Sequence, residues 1–304
     1  MRDIFVSTLL SIAEKDKNVL LMTGDLGFGV LNEFWKKLPN QIINVGIAEQ
    51  NMIGFAAGLA KSGKIVYVYS IANFPSLRPF EQIRNDVAYH NLNVKIVSIG
   101  AGFSYGSLGI THHATEDIGV MRSLPNLTIY SPANNEETVF ITNESYSNPG
   151  PCYIRLGRTS KNFEINNLSV LTPWQPRLIS DDSSNIILTY GEISHTVIDL
   201  FNHLNSNKFH LDIAIFHTLK PINRDYLLLL LSKYKNLIVI EEHSVYGGLS
   251  SIIKDNLTNF NFQSIYSIGL NDTFTSIVGN QEYLKKINGL DFDSLRNKII
   301  SIIS

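Results

Sequence analysis

The sequence predicts a two-domain α/β protein, and three observations carry that prediction. Short, nearly continuous apolar runs alternate with stretches of helical periodicity, as parallel strands covered on both faces require. Loops containing Gly or Pro follow several of those runs, where open parallel sheets place their ligand sites. Between about 161 and 184 the periodicity fades into N-N-L-S, T-P-W-Q-P and S-D-D-S-S, so one layered unit ends and a second begins.

Taken in order, Asp3 to Glu14 reads as a helix and NVLLMTGD (18–25) as a strand running into a loop. Ile47 to Lys61 reads as a helix with Ile47, Met52, Phe55 and Leu59 near helical spacing. Small residues fill the gaps, which predicts burial against a close neighbour. KIVYVYS (64–70), NVKIVSIG (93–100) and LTIYSP (127–132) read as strands. The expected division is a first domain at 1–165, a linker at 166–183 and a second domain at 184–304. Within the second, strands are expected at 185–191, 210–217 and 236–243, helices at Ile193–Leu204 and Tyr226–Lys233, and a helix start in G-G-L-S-S-I-I.

Composition narrows the function classes. The 304 residues carry a formal charge of −2, 44% hydrophobic and 17% charged residues. The basic residues are scattered, so neither a nucleic acid nor an anionic membrane is an expected partner. No apolar run reaches the length of a membrane span, and the first ten residues make a poor secretory signal. The single cysteine, Cys152, forms no internal disulfide and lies outside any metal-ligand spacing; a reducing, cytoplasmic setting is expected.

The chemistry is carried by I-N-V-G-I-A-E-Q-N-M-I-G (43–54), where one carboxylate, Glu49, stands among small and apolar residues. Buried, it needs a hydrogen-bonding partner. Its plain structural role would be that of a helix-start residue facing backbone donors. The adjacent His112 and His113, with Glu116 and Asp117, lack the convergence that a catalytic zinc requires, so no metal ligands are expected from this chain.

G-I-A-E-Q-N with its small-residue helix resembles the pyrimidine-binding domain of thiamine-diphosphate enzymes of the transketolase and deoxyxylulose-phosphate synthase family. T-G-D-L-G (23–27), FPSLRPFEQIR (74–84), LGITHHATEDIG (108–119), PCYIRLGR and IEEHSVYGGLS (240–250) extend the likeness over almost the whole chain. The resemblance implies that Glu49 binds N1′ of the aminopyrimidine and promotes its imino tautomer, which deprotonates the thiazolium. It implies that Phe74 stacks on the pyrimidine, with Ile71 as a second wall where the family has an aromatic, and that Asp25 lies near the cofactor. His112 would contact substrate oxygens and move protons. Arg158 would hold a substrate phosphate, and Arg155 would face an interface. Glu241, Glu242 and His243 would be structural or would support the site residues from behind.

Leu108 stands where related enzymes carry a sugar-binding aspartate, and an additional histidine is missing from S-I-G-A-G-F-S-Y. Either the substrate differs from the common ketose phosphates or Ser104 and Tyr105 supply replacement hydrogen bonds. The resemblance covers only the last two of the family's three domains. It therefore implies a split transketolase in which a separate N-terminal subunit, in an α2β2 assembly, carries the diphosphate-binding domain and the Mg²⁺ ligands of thiamine diphosphate. The implied reaction moves a two-carbon ketol unit from a ketose or ketose phosphate to an aldehyde. A pyruvate-decarboxylating synthase, the β subunit of a 2-oxoacid dehydrogenase and a noncatalytic scaffold remain alternatives.

Overall fold

The computed structural model describes residues 1–158, 162–163, 168–180, 182–207, 209–257 and 264–304. The first domain runs α1 (Arg2–Ala13), β1 (Val19–Thr23), α2 (Asn32–Lys37), β2 (Ile42–Asn44), α3 (Glu49–Lys61), β3 (Ile65–Ile71), α4 (Phe80–Gln82), β4 (Val94–Ile99), α5 (Asp117–Met121), β5 (Thr128–Tyr130), α6 (Asn135–Ser147) and β6 (Cys152–Leu156). A π-helical turn over Ile83–Ala88 continues α4. The second runs β7 (Arg177–Ile179), β8 (Asn185–Thr189), α7 (Ser194–Ser206), β9 (Asp212–Ile215), β10 (Thr218–Lys220), α8 (Arg224–Leu231), β11 (Asn236–Ser244), α9 (Leu249–Asn256), β12 (Ser264–Leu270), α10 (Gln281–Ile287) and α11 (Phe292–Ile303).

The predicted α/β class with two sheets is what the chain adopts. The larger sheet has the order β10-β5-β6-β4-β3-β1-β2 and the smaller β12-β11-β8-β9-β7. The central strands β1, β4 and β6 are buried along their whole length, which explains their mostly apolar sequences. Cys152 is buried on β6, and burial pushes its thiol up to about 11, as suits an inert side chain.

Two segments depart from the expected division. Within the 166–183 linker, β7 pairs antiparallel with β9, with Arg177 opposite Ile215. Arg177 reaches back to the first domain, its Nη1 lying 2.8 Å from Glu136 Oε2. β10 lies beyond residue 184 and yet pairs antiparallel with β5 of the first sheet. There the Lys220 ammonium donates to the carbonyl oxygen of Arg122 at 2.9 Å. Three-residue strands carry too little periodicity to be seen in a sequence; partners supplied from elsewhere in the chain make them.

A third departure concerns α3. Met52, Ile53, Ala56, Ala57 and Ala60 form its buried side. Ile47, 75% exposed, precedes the helix, and Phe55, 43% exposed, lies on the opposite side beside Asn51, Gly54 and Gly58. Starting the helix at Glu49 sets a register that turns Met52, Ile53 and the alanines toward the core and leaves Ile47 and Phe55 outside it.

Candidate active site

Glu49 opens α3, where the helix dipole favours a carboxylate, and its side chain is 6% exposed. The partner it needs is Arg78, whose Nη1 donates to Glu49 Oε1 at 3.1 Å. The same guanidinium lies over the Phe74 ring, 3.9 Å from its centroid. Phe74 meets His112 edge to face at 5.0 Å. Thus Glu49, Arg78, Phe74 and His112 form one continuous cluster.

Backbone geometry at the end of β3 sets the ring of Phe74. The Phe74 amide donates to the Ile71 carbonyl at 2.9 Å, closing a tight turn. Inside it, Ala72 has φ of 44°, a conformation costly for a residue with a Cβ. Ser98 donates to the Ala72 carbonyl at 2.6 Å, the Ala72 amide donates to Ile99, and the Asn73 side-chain amide donates to the His113 carbonyl. Neighbouring strands and loops thus hold the strained turn, and with it both Phe74 and the chain immediately after His112.

His112 is partly buried, and its Nδ1 lies 2.9 Å from Thr111 Oγ1. Desolvation, and then the nearby Arg78 charge, lower its pKa, so the neutral imidazole is favoured. His113 is buried instead, edge-on to Phe103 at 5.0 Å, which suits a structural role.

The remaining expected residues divide between two cavities. Asp25, Ile71 and Tyr105 line one of about 320 Å³ with Arg2, Leu26 and Phe28. Asp25 (φ 59°) is held there by Asn44: its amide donates to Asn44 Oδ1 at 2.9 Å, and Asn44 Nδ2 donates to Asp25 Oδ1 at 3.1 Å. Ser104 and Arg158 line a second, of about 480 Å³, with Arg2, Gln281 and Glu282. Tyr105 connects the parts, 6.4 Å from the His112 ring and 4.8 Å below the Arg158 guanidinium. The Ser104 hydroxyl donates to the Ala101 carbonyl at 2.6 Å, and the Ser104 carbonyl accepts from Arg158 at 3.2 Å. Ser104 therefore anchors the loop and orients Arg158, with its hydroxyl hydrogen already engaged.

The second domain braces this loop. Glu242 Oε1 accepts from the Phe103 amide at 2.7 Å and from Gln281 at 3.1 Å. Burial pushes this carboxyl up to about 7, against the pull of Lys285 and with Glu192 adding to the rise. A Cβ on Gly102 (φ 59°) would stand 2.5 Å from Glu242 Oε1, so this close approach requires glycine. Glu241 accepts from the Leu249 and Ser250 amides at the start of α9, and Arg155 forms a buried pair with Asp117.

Sequence reasoning missed Arg78, Asn44 and the Ala72 turn. Arg78 had a signal: it is the only charged residue between Lys64 and Glu81. Asn44 and Ala72 had none, since partners distant in sequence create their roles.

The chain thus has two α/β units, the first of which brings together a carboxylate at a helix start, an aromatic face and a histidine. The model for the transketolase pyrimidine-binding domain matches residues 1–162 and that for the transketolase C-terminal domain matches 175–288. The chain belongs to the transketolase family, whose shared chemistry is thiamine-diphosphate-dependent two-carbon transfer. It is 33% identical to a putative transketolase C-terminal section of Methanocaldococcus jannaschii, over 99% of this chain and 95% of that one. It is 31% identical to an apulose-4-phosphate transketolase subunit of Phocaeicola vulgatus, over 97% and 94% respectively. Among solved structures, a split-gene transketolase described as an inactive β4 tetramer superimposes with a TM-score of 0.86 at 29% identity, covering 99% of this chain and 96% of that one. No helix among the described residues is long and apolar enough to cross a membrane.

Proposed function

We propose that this chain is the pyrimidine-binding subunit of a two-chain transketolase, which moves a two-carbon ketol unit from a ketose or ketose phosphate to an aldehyde. The carrying observation is the Glu49–Arg78–Phe74 arrangement. A largely buried carboxylate and an aromatic face together engage a planar, N–H-bearing group, which is the chemistry that an aminopyrimidine presents. The residues fit thiamine diphosphate, with Glu49 toward the ring nitrogen and Phe74 against the ring face.

When bound, that cofactor supplies a carbon nucleophile and an electron sink for the two-carbon unit. Glu49 holds the ring tautomer, in a low-dielectric site that strengthens its hydrogen bond. Neutral His112 accepts or returns a proton at substrate oxygens. Arg158, over Tyr105 and beside the larger cavity, suits a phosphate or another anionic end of the substrate. Exposed Leu108 leaves the sugar-facing side less polar than in related enzymes, which favours a donor other than the common ketose phosphates.

A partner subunit would provide the diphosphate and Mg²⁺ ligands. The matched models are the pyrimidine-binding and C-terminal domains alone, and relatives of nearly equal length are named as one subunit of a transketolase and as a C-terminal section. Co-purification of this chain with its partner, followed by calorimetric titration with thiamine diphosphate and Mg²⁺, tests the reading. Tight binding by the two-chain complex and none by either chain alone is the expected result. A stable complex that binds no cofactor would return the chain to the scaffold class.

A further inference from the structure

The Arg78 guanidinium satisfies both features that a bound aminopyrimidine would use. It donates to Glu49 Oε1 at 3.1 Å and covers the Phe74 face at 3.9 Å. A ring stacked on Phe74 and this guanidinium cannot occupy the same ring face, and both draw on the Glu49 carboxylate. The two groups are alike in what they offer: both are planar, both donate N–H, and both stack.

We propose that Arg78 is a placeholder for the cofactor's pyrimidine, a side chain that neutralises Glu49 while the site is empty and swings outward when the ring arrives. The proposal rests on the assignment of Glu49 and Phe74 to the pyrimidine. The placeholder answers a physical need. A largely buried carboxylate without a partner would be costly, whereas a permanent, fully enclosed pair would leave no room for a ligand. Arg78 meets both conditions because its side chain remains 48% exposed while that of Glu49 is 6% exposed. The guanidinium can therefore return to solvent without crossing the protein interior.

Its length and position make the motion local. Arg78 lies in the loop between β3 and α4, followed by Pro79, and Phe74 beneath it is fixed by the turn at Ala72. Rotation of the Arg78 side chain alone uncovers the ring and the carboxylate, with no movement of either domain.

The test is calorimetric titration of thiamine diphosphate, at saturating Mg²⁺, into the two-chain complex carrying wild type, R78Q, E49Q or E49Q/R78Q. Removal of a competing, half-exposed ion pair and its cation–π contact should tighten binding by about 5- to 10-fold in R78Q. That gain should shrink on the E49Q background, where the ion pair no longer exists and only the contact with Phe74 remains to be removed. Weakened binding by E49Q together with unchanged or weaker binding by R78Q would overturn the placeholder and leave the pyrimidine site standing. If E49Q binds as tightly as wild type, or no complex binds at all, the site assignment falls and the placeholder falls with it. Should R78Q fail to fold, R78K, which keeps the charge but loses the planar stack, carries the same comparison with a smaller expected gain.

Discussion

The Arg155–Asp117 and Arg78–Glu49 pairs have nearly equal contact distances, 2.9 and 3.1 Å, in opposite surroundings. Arg155 and Asp117 are 3% and 0% exposed. Tyr153 donates to the same Asp117 oxygen at 2.7 Å, and Arg155 also donates to the carbonyls of Ala114 and, across the domain boundary, Glu242. Arg78 donates only to Glu49 among the bonds described for its side chain, and half of it faces solvent. Identical chemistry thus serves two purposes. Surrounded by further partners, the ion pair fixes the first domain and holds Arg155 against the second; left open on one side, it is a contact that a ligand can replace.

Breaking the enclosed pair gives the sharpest contrast. R155M strands the Asp117 carboxylate in the interior and should cost about 3–5 kcal/mol in urea unfolding. R78Q should cost under about 1 kcal/mol in the same measurement. Equal losses would abolish the distinction between clamp and placeholder.

Next in size is the effect of E49Q on turnover. The amide cannot replace the carboxylate at the ring nitrogen, and the two-chain complex should lose at least about 10²-fold in kcat. Its urea midpoint should stay near that of wild type, because the change lies at the open pair. An unimpaired E49Q complex would remove Glu49 from the chemistry.

The smallest effect concerns pH and the brace behind the loop. Burial raises the folded-state pKa of Glu242 to about 7, above its unfolded value, so the folded protein binds this proton more tightly. The stability linked to it is complete below the unfolded pKa and is lost as pH rises through about 7. Buried Glu137, also raised to about 7, acts with the same sign. E242Q should flatten the decline in unfolding free energy between pH 5 and 8 by on the order of 1–2 kcal/mol, and a slope identical to wild type would show that Glu242 does not take up this proton.

The parts of the site legible in sequence were those whose roles depend on near neighbours. Glu49 betrayed itself as one carboxylate among small residues, and Phe74 and His112 lie in segments whose residue order resembles a family pattern. Arg78 was harder to read: its partner Glu49 is 29 positions away, and nothing local states which carboxylate it will meet. Glu242 was read as a structural or supporting residue; which loop it supports was not legible, because its hold on the Phe103 amide, 139 residues earlier, joins the second domain to the loop that carries Ser104 and Tyr105.

Sequence alone determined the α/β class, the two-domain order and the presence of an isolated carboxylate at a helix start. These follow from residue periodicity and spacing, which act within a few turns or one strand. Tertiary structure decided that β10 would join the first sheet, that α3 would leave Phe55 on its outer side, and that Arg78 would cover Phe74. Each depends on which distant surfaces meet, because burial, ion pairing and ring contact acquire their energies only when the chain has brought those surfaces together.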